Sequence, residues 1–186
     1  IYGQNCINNA YPPASITKLL TALIVLENCE LDEVVTFSDT AMLSVEADSG
    51  NKLSLVAGDQ LSVEDCLYAL LLFSVNQSAN ALAEHTAGSI PAFVDMMNAK
   101  AAQLGCSEKT HFDNPSGLNG DTQKVTAYDM ALIAKAAFNN EELLKISSSL
   151  NHKIAPTVNN PTGVSFRHEH RLIYTTDPSS EYYYPP

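Results

Sequence analysis

Basic residues are scarce in this sequence of 186 residues: 10 lysines and arginines stand against 21 aspartates and glutamates, and the formal net charge is −11. Binding to nucleic acid or to an anionic membrane surface requires a basic face. We therefore expect neither kind of partner. Long apolar runs are also missing. The longest, 19–26 and 67–73, are far shorter than the roughly 18 residues of a membrane-spanning helix.

Cysteine pairs with metal-binding spacing are missing as well. Cys6, Cys29, Cys66 and Cys106 are widely separated, and no C-x-x-C pattern occurs. Because protein zinc sites usually show such local spacing, we expect no metal site. We expect free buried thiols, with one or two disulfides as the alternative if the protein is exported.

The pattern His168-Glu169-His170 does not change this expectation. In a strand, alternate side chains point to the same face, so the two imidazoles could share a ligand. No third ligand can be placed from the sequence, and we interpret the segment as an exposed polar strand end. The sequence therefore predicts no metal and no organic cofactor.

Helix signals dominate the first three quarters of the chain. With 45% hydrophobic and 17% charged residues, the composition is typical of one globular domain. Extended segments are predicted at 153–158 and 164–174, with a turn at 160–163 between them. The expected fold class is α+β, a helical subdomain with part of an antiparallel sheet. Periodicity and capping residues predict five helices, at about 15–29, 62–73, 78–87, 89–105 and 126–138.

A hydroxyl and an amine lie one turn apart at the start of the first predicted helix. Ser15 and Lys18 are three residues apart, so a helix places them on one face. Serine is a weak nucleophile without a nearby base, and lysine can act as that base when burial lowers its pKa. Free N–H groups at the helix start can stabilise an oxyanion. Alone, however, an S-x-x-K pattern is most often a helix cap beside a solvated lysine.

A second pattern, Ser74-Val75-Asn76, follows another apolar helix. From a loop, its side chains could reach back toward the first helix. A serine there can relay a proton to a leaving group, and an asparagine amide can hold a substrate amide. Together the two patterns predict an acyl-transfer site made of Ser15, Lys18, Ser74 and Asn76.

Four stretches of the chain are jointly similar to one family. On these stretches the chain resembles the low-molecular-mass penicillin-binding proteins, the serine D-alanyl-D-alanine carboxypeptidases. The resemblance extends from about residue 2 to residue 173 and implies a β-lactamase/DD-peptidase-like fold. The stretches are 13–18 (PASITK), 71–76 (LLFSVN), 110–118 (THFDNPSGL) and 126–134 (TAYDMALIA).

The resemblance implies a role for each site residue. Ser15 would be the acylated nucleophile and Lys18 its base, Ser74 would connect Lys18 with the leaving amine, and Asn76 would bind the substrate's peptide amide. The implied substrate is a peptidoglycan stem peptide ending in D-Ala-D-Ala, and β-lactam antibiotics would acylate Ser15. The implied location is outside the cytoplasmic membrane, in the periplasm or at the cell surface. Any membrane anchor would belong to a segment absent from this chain.

The family's third motif, a K-T-G triplet on a strand, does not occur in the chain. In the family that strand completes the oxyanion site and holds the terminal carboxylate of the substrate. We therefore expect 1–186 to be an incomplete catalytic domain, without its first strands and its K-T-G strand, and inactive without them. Two smaller departures are Val75, where the family usually has glycine, and 123–125, which replaces the more usual His-Tyr-Thr.

Two other functions remain open at this point. A class A β-lactamase shares the fold and the first two motifs, but it needs a deacylating glutamate, usually in an E-x-x-L-N loop. The best local match, 147–151, has serine in the glutamate position. A non-catalytic cell-wall-binding relative would keep the fold and lack the K-T-G motif.

Overall fold

Helices and short antiparallel strand pairs make up the computed structural model, which describes residues 6–43, 45, 50–118, 120–170 and 178–181. Within these residues the α-helices are α1 (Lys18–Asn28), α2 (Asp39–Leu43), α3 (Val63–Leu72), α4 (Asn76–Ala87), α5 (Ile90–Gln103), α6 (Ala127–Phe138) and α7 (Glu141–Ser147). The strands are β1 (Ala10–Tyr11), β2 (Val34–Thr36), β3 (Gln60–Ser62), β4 (Val125–Thr126), β5 (Asn151–Lys153) and β6 (Ser165–Arg167). The predicted α+β class is confirmed.

The helix starts follow from side-chain caps. Ser62, Ser89 and Thr126 each accept a hydrogen bond from a backbone N–H three residues later, as N-cap residues do. Gly88 ends α4 in the left-handed conformation, with φ at 79°. The five predicted helices are therefore present, whereas the short helices α2 and α7 were not among them.

Helix α1 is the centre of the hydrophobic core. Its residues Leu20, Ala22, Leu23, Ile24 and Val25 are each at most 3% exposed. The helix contacts α3, α4, α5, α6 and α7, so it has neighbours on nearly every side. This surrounding explains why its sequence is a continuous apolar run rather than an amphipathic pattern.

The strands pair as three antiparallel ribbons, β1 with β4, β2 with β3, and β5 with β6. In the last ribbon His152 lies opposite Phe166, which confirms the predicted hairpin. Its strands are shorter than expected: β5 lies just before 154–158, and β6 ends at Arg167. Residues 171–174 of the second predicted strand lie outside the described residues.

All four cysteines are free thiols in the structure, which agrees with the favoured expectation. Only Cys66 is fully buried, however, and Cys6 is exposed. Among the described residues, no helix is both long enough and apolar enough to cross a lipid bilayer.

Candidate active site

Ser15 lies in a short 3₁₀ turn, Ala14–Thr17, that leads directly into α1. Neither the turn nor α1 begins with a side-chain cap, so Ser15 does not have the capping role that an isolated S-x-x-K pattern suggests. Its side chain is exposed, and its Oγ is 3.1 Å from Lys18 Nζ. The two groups are therefore within hydrogen-bonding distance at the edge of the core.

Lys18 is buried, and a distant backbone carbonyl holds its amine. Lys18 Nζ donates to the Ser116 carbonyl oxygen over 2.7 Å, and one turn later Thr21 Oγ1 donates to the Pro115 carbonyl oxygen over 2.7 Å. A neutral amine has two N–H groups and one lone pair. With one N–H on Ser116, the lone pair is free to accept the proton of the Ser15 hydroxyl.

The surroundings of Lys18 lower its pKa from 10.5 to about 8. The main cause is burial, which disfavours the ammonium form, and the positive charge of Lys52 adds to it. The Glu169 carboxylate acts in the opposite direction. At pH 7, roughly one amine in eleven is then neutral, against about three in ten thousand for an ordinary lysine.

The loop that holds Lys18 is shaped by Asn114 and Gly117. Asn114 Oδ1 accepts from the Gly117 N–H over 2.8 Å and from Ser116 Oγ over 3.1 Å, which closes the turn. Gly117 has φ at +86°, and a Cβ there would lie 1.9 Å from the Ala14 carbonyl oxygen. The 110–118 stretch therefore places its backbone directly against the turn that carries Ser15.

Ser74 lines the same cavity, of about 650 Å³, as Ser15 and Lys18. It follows α3 with φ at 55°, and Ala14, the neighbour of Ser15, has φ at 50°. A left-handed backbone costs a non-glycine residue roughly 1 kcal/mol or more. In the described part of the chain these are two of the three such residues, so local strain is concentrated beside the two serines.

Lys52 and Glu169 are parts of the site that the sequence patterns did not reveal. Lys52 Nζ donates to the Phe73 carbonyl oxygen over 2.7 Å and pairs with Glu169 Oε1 at 2.6 Å. The Glu169 N–H donates to the Leu72 carbonyl oxygen over 2.9 Å. These contacts hold the end of α3, and hence Ser74, against the segment after β6.

His168, Glu169 and His170 directly follow β6, which stops at Arg167, and Glu169 and His170 are exposed, as expected of a polar strand end. The sequence did not reveal that all three also line the cavity. The N–H of His170 donates to His168 Nδ1 over 2.9 Å, which folds the segment into a bend.

Asn76 has a different position from the other three predicted site residues. It is the first residue of α4, is 8% exposed, and is not among the residues that line the cavity. Within the described residues its Oδ1 is buried and accepts no hydrogen bond. Its role in binding the substrate amide stays a prediction.

Solved structures with this arrangement of helices and strands place the chain in a class. A D-alanyl-D-alanine carboxypeptidase from Mycobacterium tuberculosis matches with a TM-score of 0.79 and 32% identity over 90% of this chain and 61% of that one. A Streptomyces K15 DD-transpeptidase mutant matches with a TM-score of 0.80 and 27% identity over 90% of this chain and 68% of that one. The chain has the fold of the β-lactamase/DD-peptidase class.

Sequence comparison identifies the family within that class. The family model described as D-alanyl-D-alanine carboxypeptidase (Peptidase_S11) matches residues 1–181, and the chain belongs to this family. The carboxypeptidase DacF of Bacillus subtilis is 34% identical over 151 residues, which are 80% of this chain and 38% of DacF. The chain thus spans well under half the length of that curated relative.

Proposed function

We propose that the protein is a serine-type DD-carboxypeptidase that removes the terminal D-alanine from peptidoglycan stem peptides. The observation that carries the proposal is the 3.1 Å contact between Ser15 Oγ and Lys18 Nζ. The pKa of this lysine is lowered to about 8. A serine hydroxyl beside a partly neutral, positioned amine is an activated nucleophile. Membership of the family supplies the substrate class.

The proposed reaction has two acyl transfers. Ser15 Oγ attacks the carbonyl between the two D-alanines, and its proton passes to Lys18 Nζ. The tetrahedral intermediate then breaks the peptide bond, and the leaving amine takes up the proton from Lys18, with Ser74 as the relay. Water finally attacks the ester on Ser15, transfers its proton to Lys18, and releases the shortened peptide as Ser15 recovers its hydrogen.

The partners and the location follow from the same proposal. The substrate is a peptide ending in D-Ala-D-Ala, with Asn76 on its amide, and β-lactams act as covalent inhibitors on Ser15. No cofactor is needed, because each proposed step uses side chains and water. Peptidoglycan lies outside the cytoplasmic membrane, so the protein is proposed to act there, with any membrane association through a segment other than this chain.

The segment that best matches the E-x-x-L-N pattern gives no support to a β-lactamase. Ser147, which occupies the glutamate position of the E-x-x-L-N match, donates its hydroxyl to the Leu144 carbonyl oxygen. The nearby Glu142 forms a surface pair with Lys145 at 2.7 Å. Ser147 has no carboxylate, and Glu142 does not line the cavity.

Mass spectrometry of the full-length protein after incubation with benzylpenicillin tests the proposal. We expect one stable adduct on the peptide that contains Ser15, lost in Ser15→Ala and retained in Ser148→Ala, which changes an exposed serine that does not line the cavity. We also expect release of D-alanine from an N-acylated tripeptide ending in D-Ala-D-Ala. An adduct on another residue, or none on folded protein, contradicts the proposal, and rapid release of hydrolysed penicillin identifies a β-lactamase instead.

A further inference from the structure

Three side chains that can bind metal ions meet outside the cavity of Ser15. Cys29 follows the end of α1, Glu33 precedes β2, and His85 lies in the last turn of α4. Their donor atoms, a sulfur, a carboxylate oxygen and an imidazole nitrogen, all lie within 4.8 Å of one another. We call Cys29, Glu33 and His85 the Cys29 cluster. In the described part of the chain no other group of three such donors comes this close.

Backbone contacts fix the parts of the chain that carry the cluster. The Cys29 N–H donates to the Val25 carbonyl oxygen over 2.9 Å, as the last hydrogen bond of α1. The Glu33 carbonyl oxygen accepts from the Val63 N–H over 2.9 Å, and Glu33 Oε1 accepts from the Glu30 N–H over 2.6 Å. The second carboxylate oxygen, Oε2, is thereby directed to His85 Nε2 at 2.8 Å.

The donor set matches the preference of zinc. Zn²⁺ takes thiolate, imidazole and carboxylate ligands, usually in a tetrahedron, whereas Mg²⁺ and Ca²⁺ take oxygen ligands. With metal–ligand distances of about 2.0 to 2.3 Å, tetrahedral ligand atoms lie roughly 3.3 to 3.6 Å apart. Glu33 and His85, now 2.8 Å apart, would separate by about half an ångström, and Cys29 Sγ, within 4.8 Å of both, would move inward by at most about an ångström. Changes of side-chain torsion angles can supply both movements.

Charge and exposure also fit a divalent cation. A thiolate and a carboxylate carry two negative charges, so bound Zn²⁺ makes the cluster neutral. The side chains of Glu33 and His85 are 41% and 21% exposed, which leaves room for water as the fourth ligand. Because the metal binds the thiolate form, the thiol proton of Cys29 is released to solvent when the ion binds.

We propose that Cys29, Glu33 and His85 bind one Zn²⁺ ion, with a water molecule as the fourth ligand. The ion would join the end of α1 to α4 and to the start of β2, and it would serve stability rather than the acyl-transfer reaction. The proposal replaces the sequence-based expectation of no metal site. That expectation relied on cysteine pairs with local spacing, whereas Cys29 and Glu33 lie in the connection between α1 and β2 and His85 comes from α4.

Cobalt spectroscopy of the metal-free protein tests this proposal directly. We expect one equivalent of Co²⁺ to produce a thiolate-to-cobalt charge-transfer band and the intense visible bands of four-coordinate Co²⁺, both removed by one equivalent of Zn²⁺. Cys29→Ser should abolish the charge-transfer band, and His85→Gln and Glu33→Gln should each weaken binding at least about tenfold. The matched control is Cys106→Ser, another half-buried thiol, which should leave the spectra unchanged.

A thermal measurement provides a second readout. Zn²⁺ should raise the unfolding temperature of the wild type and of Ser15→Ala equally, and it should leave that of His85→Gln unchanged. The proposal is overturned by a folded wild-type protein that gives no thiolate band. It is also overturned by a band that persists in Cys29→Ser or disappears in Cys106→Ser. In either case the cluster is an ion pair beside a thiol that donates to or accepts from Thr86.

Discussion

Replacing Lys18 with methionine should change the pH dependence of stability in a defined direction. The pKa of Lys18 is about 8 in the folded protein, against 10.5 for a free lysine. Between these two values the unfolded chain holds a proton that the folded protein has released. The contribution of Lys18 to stability therefore rises with pH across this window, because at this group the unfolded state binds more protons.

The magnitude follows from the two pKa values. At pH 7 the lowered pKa of the buried amine reduces the free energy of unfolding by about 3.3 kcal/mol, and at pH 10 the reduction is only about 0.8 kcal/mol. Methionine causes no such reduction at any pH, but it gives up the hydrogen bond to the Ser116 carbonyl oxygen, which costs roughly 1 to 3 kcal/mol. Lys18→Met should therefore be more stable than the wild type at pH 7 and less stable at pH 10.

Urea unfolding followed by circular dichroism at several values between pH 7 and pH 10 measures this effect. The difference in free energy of unfolding between the two proteins should change by about 2.5 kcal/mol over the range. The control Lys145→Met removes a lysine from a surface ion pair and should stay within about 0.5 kcal/mol of the wild type at pH 7. A difference that is constant with pH, or one that grows in favour of methionine, refutes the argument that Lys18 is buried with a lowered pKa.

Three further predictions concern the site and its support. Acylation by a fluorescent penicillin should accelerate through about pH 8, and Lys52→Met should move this rise to higher pH, because the Lys52 charge lowers the pKa of the proposed base. Gly117→Ala should cost several kcal/mol in urea unfolding and abolish acylation, since its Cβ would meet a backbone oxygen at 1.9 Å. Asp65→Asn should cost about 1.5 to 3 kcal/mol by the same measurement, because Asp65 Oδ1 and Oδ2 accept from the His152 imidazole and the Ala155 N–H at 2.6 and 3.0 Å.

Each of these predictions has a contradicting result, and Gly117→Ala also has a matched control. Gly105→Ala has a similar φ of +84° but nothing within 4 Å of the new Cβ, so it should cost only about 1 to 2 kcal/mol. Equal losses at the two glycines contradict the proposed close approach. An unchanged pH profile of acylation in Lys52→Met contradicts the argument that the Lys52 charge lowers the pKa of Lys18. If Asp65→Asn is as stable as the wild type, the hydrogen bonds of Asp65 to His152 and Ala155 make no net contribution to the free energy of unfolding.

Local signals were enough to predict the five long helices of this fold. The caps at Ser62, Ser89 and Thr126 lie within three residues of the N–H groups that they accept from, so their physics is contained in a short window of sequence. The same holds for Ser15 and Lys18, which are one turn apart. The short helices α2 and α7 could not be predicted in this way, because each has too few residues to show a clear apolar period.

Contacts between distant parts of the chain could not be derived in this way. Lys18 meets the Ser116 carbonyl oxygen across 98 positions, and Lys52 meets Glu169 across 117. A backbone carbonyl carries no sequence signal, since every residue has one. The stretch 110–118 is recognisable by its similarity to the family, but only the fold shows that it directs the Ser116 carbonyl at the amine of Lys18.

Three buried polar side-chain atoms of the described residues lie at the two sequence motifs without hydrogen bonds. Among the residues that the structure describes, the buried side-chain atoms without a hydrogen bond are Thr17 Oγ1, Asn76 Oδ1 and Ser78 Oγ. All three lie in or beside the S-x-x-K and S-x-N motifs, although such atoms normally find partners because each costs roughly 1 to 3 kcal/mol. A sequence chosen only for stability would replace them with apolar residues of similar size. Thr17 and Ser78 are fully buried, so neither can bond a substrate in this conformation. Of the three, only Asn76 has a proposed partner, the substrate amide, and its amide oxygen would need to become accessible from the cavity to bond it.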